Sequence, residues 1–312
     1  MTVFGDFCVD AYWTLSEETS EISLETGLAV KRVSQQRYFL GGAGSVLANL
    51  AALEVGKIRA VGLAGTDLFG IQLRTLLTEA GANLAGFVSD GRVDTMVYAK
   101  PYLGASEDNR IDFGAFNSVP PDLLERLLRN LETAVMDSDV VVLNQQVARG
   151  ISSPLAIKGI NEIIARHPNT VFLVDARDHG ALYKGALLKL NIREAAQRSG
   201  KEQGEIPAEE WAKGLVVQIS EETGRPTFLT RGEAGIVVST HNGAVVIPGL
   251  KVVGRTDAVG AGDAVVAALA AALAAGASPV LAATLANIAA MVTVKKIQTT
   301  GTATAAEILA EN

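Results

Sequence analysis

The sequence predicts an α/β fold: a doubly wound, mostly parallel sheet flanked by helices, with a small β-sheet lid. Three observations predict it. From Pro120 onward, short apolar runs rich in Val, Ile and Leu alternate with stretches of helical spacing, the pattern of strands joined by crossover helices. Of the 312 residues, 48% are hydrophobic but only 5% aromatic, so the core is built from small aliphatic side chains that let helices lie close on a parallel sheet. Before Pro120, two polar, β-leaning segments interrupt the alternation and predict a second, smaller sheet. The expected division is a main body of residues 1–11, 41–89 and 116–312, with 12–40 and 90–115 inserted as the lid.

In chain order, Thr2 to Cys8 reads as a short buried strand ending at Gly5-Asp6. Tyr12 to Leu40 has no sustained helical period and reads as extended structure. The loop Gly41-Gly42-Ala43-Gly44-Ser45 precedes a helix from Val46 to Val55. Arg59 to Gly65 is the next strand, and Asp67 caps a helix ending near Ala80-Gly81. Val97 to Lys100 and Arg110 to Phe113 flank a turn-rich segment in the lid. Helices are expected near Asp122 to Val135, Pro154 to Arg166 and Ala208 to Glu222. The strands between them are Val140 to Asn144, Val171 to Asp175, Leu187 to Asn191 and Thr227 to Thr230. His241 to Ala244, between two Val/Ile runs, marks an edge hairpin. Residues 264–294 carry no charge, but Gly276-Ala277-Ser278-Pro279 divides them, with Ser278 and Pro279 as N-cap and N1 of a new helix. Each half falls short of the ~20 apolar residues of a spanning helix, so two buried core helices are expected and no membrane association.

Composition narrows the function. The formal net charge of −7 and the lack of a basic block argue against nucleic-acid binding. The single cysteine, Cys8, excludes an intrachain disulfide and fits a reducing compartment. His167, His179 and His241 lie far apart, without the spacing of a structural zinc site. The N-terminus shows no basic segment followed by an apolar run, so a cytoplasmic location is expected.

The stretch Asp257-Ala258-Val259-Gly260-Ala261-Gly262-Asp263 carries the strongest chemical signal. Glycines at 260 and 262 let the backbone approach a ligand closely. The N–H groups of residues 260–263 begin a helix, where unpaired donors favour an anion. Asp263 stands in the first turn, where a carboxylate can take a proton from an attacking hydroxyl. Taken alone, the loop is equally a tight turn with a favourable helix dipole, and Val265 leaves the dinucleotide fingerprint incomplete. Ligands of such sheets gather beyond the carboxyl ends of the strands, where Asn144, Asp175, Asn191 and Thr230 fall.

Gly5-Asp6, Gly41-Gly42, Asn191 to Glu194, Thr230 to Gly235 and Asp257 to Asp263 follow one another in an order that resembles the ribokinase (pfkB) family of ATP-dependent sugar kinases. Within it, Gly5 to Trp13, Arg110 to Phe113 and the tail from Lys296 to Glu307 look like the heptose 7-phosphate kinase domains of bifunctional ADP-heptose synthases. The resemblance implies a ribokinase-like fold and a set of roles. Asp263 would be the base, and Gly260, Ala261 and Gly262 the anion hole for the transferred group. Asn191 and Glu194 would organise Mg²⁺, Glu194 through water. Thr230, Gly232, Gly235, Asp257 and Asn287 would belong to the ATP site, with a monovalent cation such as K⁺ near the Asp257 loop. Asp10, Gly41, Gly42, Ser45, Arg110, Asp112 and Gln145 would bind a sugar or sugar phosphate. Asp6, also at the strand end, can instead satisfy backbone donors. A homodimer paired through the lids is also implied. The chain departs from the heptose pattern in having Ser45 for an Asn, Gln145 for an acidic residue and Arg149 for a Lys, so the catalytic end looks intact and the acceptor end altered. A nucleoside or other small alcohol as acceptor, and a non-catalytic binding protein, remain alternatives.

Overall fold

The computed structural model describes residues 1–16, 21–147, 149–200 and 209–311. The chain opens with β1 (Thr2–Gly5), then crosses at Asp6 into a second sheet as β2 (Phe7–Leu15). The first strand ends at Gly5-Asp6 as expected, and Phe7 and Cys8 already belong to a strand of a second sheet. The cause is Asp6, whose N–H still bonds Asn144 O of the first sheet while the next residue pairs with Gly42. After β3 (Val33–Gly42) come α1 (Ala43–Ala52), β4 (Arg59–Val61), β5 (Leu63–Ala64), α2 (Leu68–Glu79) and β6 (Val88–Ser89). Asp67 caps α2 through the Gly70 N–H, as expected. The strand expected over Arg59 to Gly65 breaks at Gly62, where a Cβ would lie 2.3 Å from the Phe7 ring. Its second half pairs with β6 in a separate two-stranded sheet.

The lid sheet is completed by β7 (Met96–Leu103), β8 (Ser106–Glu107) and β9 (Ile111–Phe113). Its order is β3-β2-β7-β8, with β9 also on β7. β2 is antiparallel to β3 and parallel to β7, so Asp10 lies between Phe39 and Tyr98, and Tyr12 between Arg37 and Lys100. By strand alternation these residues share one face with Asp112, which pairs with Tyr98.

The main body then alternates: α3 (Pro121–Val135), β10 (Val140–Gln145), α4 (Pro154–Arg166), β11 (Val171–Ala176), β12 (Leu187–Asn191), α5 (Ile192–Arg198), α6 (Glu209–Thr223), β13 (Thr227–Thr230), β14 (Ile236–Thr240) and β15 (Gly243–Ile247). The expected start of α6 at Ala208 lies outside the described residues. The eight-stranded sheet runs β15-β14-β13-β12-β11-β10-β1-β4, parallel except at the β13–β14–β15 edge, where the predicted hairpin forms. Last come α7 (Ala261–Ala274), α8 (Pro279–Val294) and α9 (Ala305–Ala310), with Ser278 capping α8 at the predicted break. Among the described residues no helix is long and apolar enough to cross a membrane.

The sheet separates two cores, and the period of two sorts its side chains between them. Val3, Val140, Val142, Leu173, Leu187 and Phe228 face the core under α1, α7 and α8. Phe4, Val141, Leu143, Phe172, Val174, Leu188 and Leu229 face the core under α3, α4 and α6. α7 is Ala/Val/Leu on every side because it is buried between α1, α8 and strands β10 and β11. Alanine keeps those neighbours close.

Candidate active site

Continuing the alternation to the strand ends assembles the site. On β10, Val140 and Val142 face α7, so Asn144 does too; on β11, Leu173 carries Asp175 with it; on β12, Leu187 carries Lys189 and Asn191. The parallel register sets Asn144 beside Asp175, Asp175 beside Lys189 and Asn191 beside Thr230. The same parity turns Gln145 to the opposite face, with Val141 and Leu143. Gln145 was expected to bind acceptor, but it is fully buried. Its Nε2 donates to Val147 O and to Asp178, and its Oε1 accepts from Asp178 N and His179 N. It clasps two loops and has no group left for a ligand.

Beneath the start of α7 these strand ends form a polar cluster. Lys189 Nζ lies 2.8 Å from Asp175 Oδ1, and the side chains are 5% and 4% exposed. Asn144 Nδ2 and Gln146 Nε2 each donate to Asp175 Oδ2 at 3.2 Å. Burial opposes the charge on Lys189, but Asp175 and Glu194 outweigh it and hold its pKa above the ordinary value. Sequence reasoning missed Lys189. Its signal was a lone charge inside Leu187-Leu188-Lys189-Leu190, where a strand buried on both faces calls for apolar residues.

Gly260 is the N-cap of α7 and adopts φ 81°, ψ −7°, a left-handed conformation that turns the chain into the helix. Ala261 N–H is spent on Ala258 O, so among the described residues the free donors of the expected 260–263 cradle include those of Gly262 and Asp263. Gly262 is exposed, and a Cβ there would lie 3.7 Å from Lys189 Nζ. Free N–H groups of a helix start thus lie near the buried ammonium, an arrangement suited to an anion. Asp263 is half-buried, and its pKa is pushed up to about 7 by burial and by the charge of Asp175; Ser45 and Lys189 oppose the shift and Asp10 adds to it. A carboxyl with that pKa is poised to accept a proton near neutral pH.

Toward the hairpin edge, Asn191 and Glu194 form a capping box at α5. Asn191 Oδ1 accepts from the Arg193 and Glu194 N–H groups, and the Glu194 carboxylate accepts from Asn191 N and Nδ2. Burial raises the Glu194 pKa to about 7. A carboxyl strained in this way by desolvation gains from a nearby hydrated cation, and Mg²⁺ keeps much of its water. Among the described residues no group of three or more His, Cys, Asp or Glu is arranged to hold a metal by itself. Asn191 and Glu194 fit a metal that arrives on phosphates.

Between α8 and the chain after β15 lies a cavity of about 520 Å³, lined among others by Gly232, Gly249, Thr256, Ala258, Ala261 and Asn287. Asn287, in α8, donates to Pro248 O and fixes that wall. Gly232 and Asn287, both expected at a nucleotide, line this one cavity. Gly235 does not: it is buried at φ 86°, and a Cβ would lie 2.1 Å from Ile247 O, so it lets two backbones pass. Thr230 also looks inward, its hydroxyl donating to Leu190 O. Asp257 holds its loop, with Oδ1 accepting from Val259 N and Oδ2 from Gln298 N.

On the lid side, Asp10 is buried and lies against Gly41, where a Cβ would fall 3.0 Å from Asp10 Oδ1. A Cβ on Gly42 would meet Asp6 O at 2.4 Å. Ser45 is buried in α1 near Asp263, its hydroxyl without a well-formed hydrogen bond among the described residues. Lys100, also missed, lies 3.6 Å from Asp10 Oδ2 and 4.8 Å above the Tyr12 ring. Arg110 and Asp112 form an exposed ion pair, with Arg110 over the Tyr98 ring. Asp6 satisfies backbone donors: its carboxylate accepts from the N–H groups of Gln146, Val147 and Ile151.

The Bifunctional protein HldE of Caulobacter vibrioides is 32% identical over 310 residues, covering 99% of this chain and 62% of that protein, so the chain spans about three fifths of the relative's length. The crystal structure of phosphofructokinase-2 from Escherichia coli in complex with potassium superposes with a TM-score of 0.77 at 17% identity, covering 99% of this chain and 96% of the other. Ribokinase from Thermotoga maritima gives 0.72 at 19% identity, covering 100% and 99%. These two share the fold. Residues 3–306 match the pfkB family carbohydrate kinase domain, and the chain belongs to that family.

Proposed function

We propose that the protein is an ATP-dependent carbohydrate kinase that transfers the γ-phosphoryl group to a hydroxyl of a sugar or sugar phosphate. The observation that carries this reading is Asp263: a carboxyl titrating near neutrality, on the first turn of α7, beside free N–H donors and the Lys189 ammonium, between the cavity at Asn287 and the lid carboxylate Asp10. In this reading Asp263 takes the acceptor proton. The Gly262 and Asp263 N–H groups and Lys189 stabilise the charge that shifts onto the transferring group, a task of positioning and electrostatics. Gly232 and Asn287 line the nucleotide site. Asn191 and Glu194 hold Mg²⁺ through its water shell, and the metal supplies charge neutralisation on the phosphates. Phosphofructokinase-2 was crystallised with potassium, and a monovalent cation at the Asp257 loop is the corresponding expectation here.

Asp10, with Gly41 and Gly42, meets the acceptor hydroxyls, while Arg110 and Lys100 give the lid the positive charge a sugar phosphate needs. A heptose phosphate acceptor is the finer proposal, supported by the opening Gly5 to Trp13 and the identity to HldE proteins. Exposed apolar side chains on the lid, Leu24, Leu28, Ile111 and Phe113 among them, support pairing of two lids in a homodimer. A cytoplasmic location accords with the ATP supply such a reaction needs. An acceptor screen tests the reading: hexose, pentose and heptose phosphates, free sugars and nucleosides, each with MgATP and detection of ADP. Mg²⁺-dependent ADP release with a sugar or sugar phosphate is the expected result. Turnover confined to nucleosides, or none with any acceptor, contradicts it.

A further inference from the structure

Thr300 lies in the segment between α8 and α9, outside every motif that marked the site. Its hydroxyl donates to Asp10 Oδ2 at 2.7 Å, and both residues are buried. The bond joins the main body to a lid strand across 290 positions of sequence. Asp10 Oδ2 thus has Thr300 and, at 3.6 Å, Lys100 Nζ, whereas Oδ1 accepts no hydrogen bond among the described residues. The carboxylate is held by one oxygen, leaving the other, on the Gly41 side, for a ligand.

The same segment also packs against the start of α7. Gly301 packs on the N-cap of α7: a Cβ on Gly260 would lie 3.2 Å from Gly301 O and 3.6 Å from Thr300 Cγ2. Gln298, at φ 53°, is held in that left-handed conformation with its N–H on Asp257 Oδ2. Residues 298–301 therefore connect both ends of the loop 257–260 to the lid carboxylate.

We infer that Thr300 is a positioning residue for phosphoryl transfer. It orients Asp10 so that Oδ1 meets an acceptor hydroxyl, and through Gly301 it fixes the distance between that hydroxyl and the donors at the start of α7. The inference rests on Asp10 being an acceptor ligand. Misplacement of about an ångström between reacting groups costs about a hundredfold in rate, so a spacer bonded at both ends has an evident use.

Thr300→Val keeps the shape and removes the donor; Thr300→Ser keeps the donor. With the acceptor that gives turnover in the screen, Thr300→Val is expected to raise the acceptor KM about tenfold, the size expected for one hydrogen bond to a charged group, to lower kcat as the hydroxyl is misplaced, and to leave the ATP KM within about twofold. Thr300→Ser is expected to restore the wild-type acceptor KM, which a packing role for the side chain would not produce. Hydrogen exchange supplies an arm that needs no acceptor: peptides covering 7–15 and 255–263 should both exchange faster in Thr300→Val and not in Thr300→Ser. If the Val variant does not fold, Thr300→Ala takes its place with the same expected shifts. An unchanged acceptor KM, equal effects of Val and Ser, or unchanged exchange in both peptides overturns the inference. Failure of every acceptor in the screen would sink the kinase reading instead, and the exchange arm would then decide the Thr300 bond by itself.

Discussion

Asp263 and Asp10 are carboxylates close enough to influence each other's charge, yet they are held by different kinds of structure. Asp263 stands on a helix that starts over the ends of buried parallel strands, and much of what surrounds it is backbone or fixed by strand register: two free N–H groups, Asp175, and Lys189. Asp10 stands in a lid strand, and its partners are side chains brought from far along the chain, Thr300 and Lys100. Backbone donors on a helix start persist through most changes of side chain. A pocket made of side chains can be altered one residue at a time. On the proposed reading, that difference would let a chain keep its phosphoryl end while its acceptor end changes one side chain at a time.

Substitutions sharpen that contrast. The largest stability effect is expected at Lys189, because removing one partner of a buried pair strands the other charge. Lys189→Met should lower unfolding free energy by about 3–5 kcal/mol in denaturant titrations, with part of the loss recovered when Asp175 is replaced by Asn as well. A loss within experimental error would mean the cluster under α7 is solvated, and the contrast with the lid would fall. Gln145→Glu comes next. It sets a carboxylate against Val147 O and Asp178, so about 1–3 kcal/mol of stability should be lost with the acceptor KM unchanged. A large rise in that KM would return Gln145 to the acceptor site. Arg110→Ala should be the mildest. Its ion pair is exposed, so stability should change by less than about 1 kcal/mol, while KM rises for a phosphorylated acceptor and not for a neutral one.

A pH effect separates the two ends as well. Asp263 and Glu194 titrate near 7 when folded, against ordinary values of 3.8 and 4.5, so the folded state binds more protons than the unfolded one between those limits. Their contribution is fully favourable below about pH 4 and is lost as pH rises through about 7. Between pH values of about 5 and 8, wild-type stability should therefore fall more steeply than that of Asp263→Asn. Parallel slopes for the two proteins would place the shifted pKa elsewhere.

How much of this was legible in the sequence follows the same division. Val140-Val141-Val142-Leu143 and Ser278-Pro279 announce a strand and a capped helix because the signal is local, and both formed as expected. The helix start at Gly260 was legible for the same reason, whereas the loss of the Ala261 N–H to Ala258 O was not. Gln145 was misplaced because a shift of one residue along a strand reverses its face, and only the neighbours' burial reveals the parity. Gly235 resembles a ligand-binding glycine in sequence, yet a close approach of Ile247 O accounts for it. The places of Lys100 and Thr300 beside Asp10 could not be read, although the tail holding Thr300 is part of the resemblance, because each contact depends on how a lid strand lies on the body. Local chemistry reads directly from sequence, and long-range juxtaposition does not.

The central claim is that Asp263 takes the acceptor proton. The most direct test is the pH dependence of kcat for wild type and Asp263→Asn, with MgATP affinity measured separately by calorimetry. Wild-type kcat should rise with pH through an apparent pKa near 7, while the variant loses about 10²- to 10⁴-fold in kcat, shows no such inflection and binds MgATP as tightly as before. Full turnover in the variant, or the same inflection in both proteins, would contradict the account.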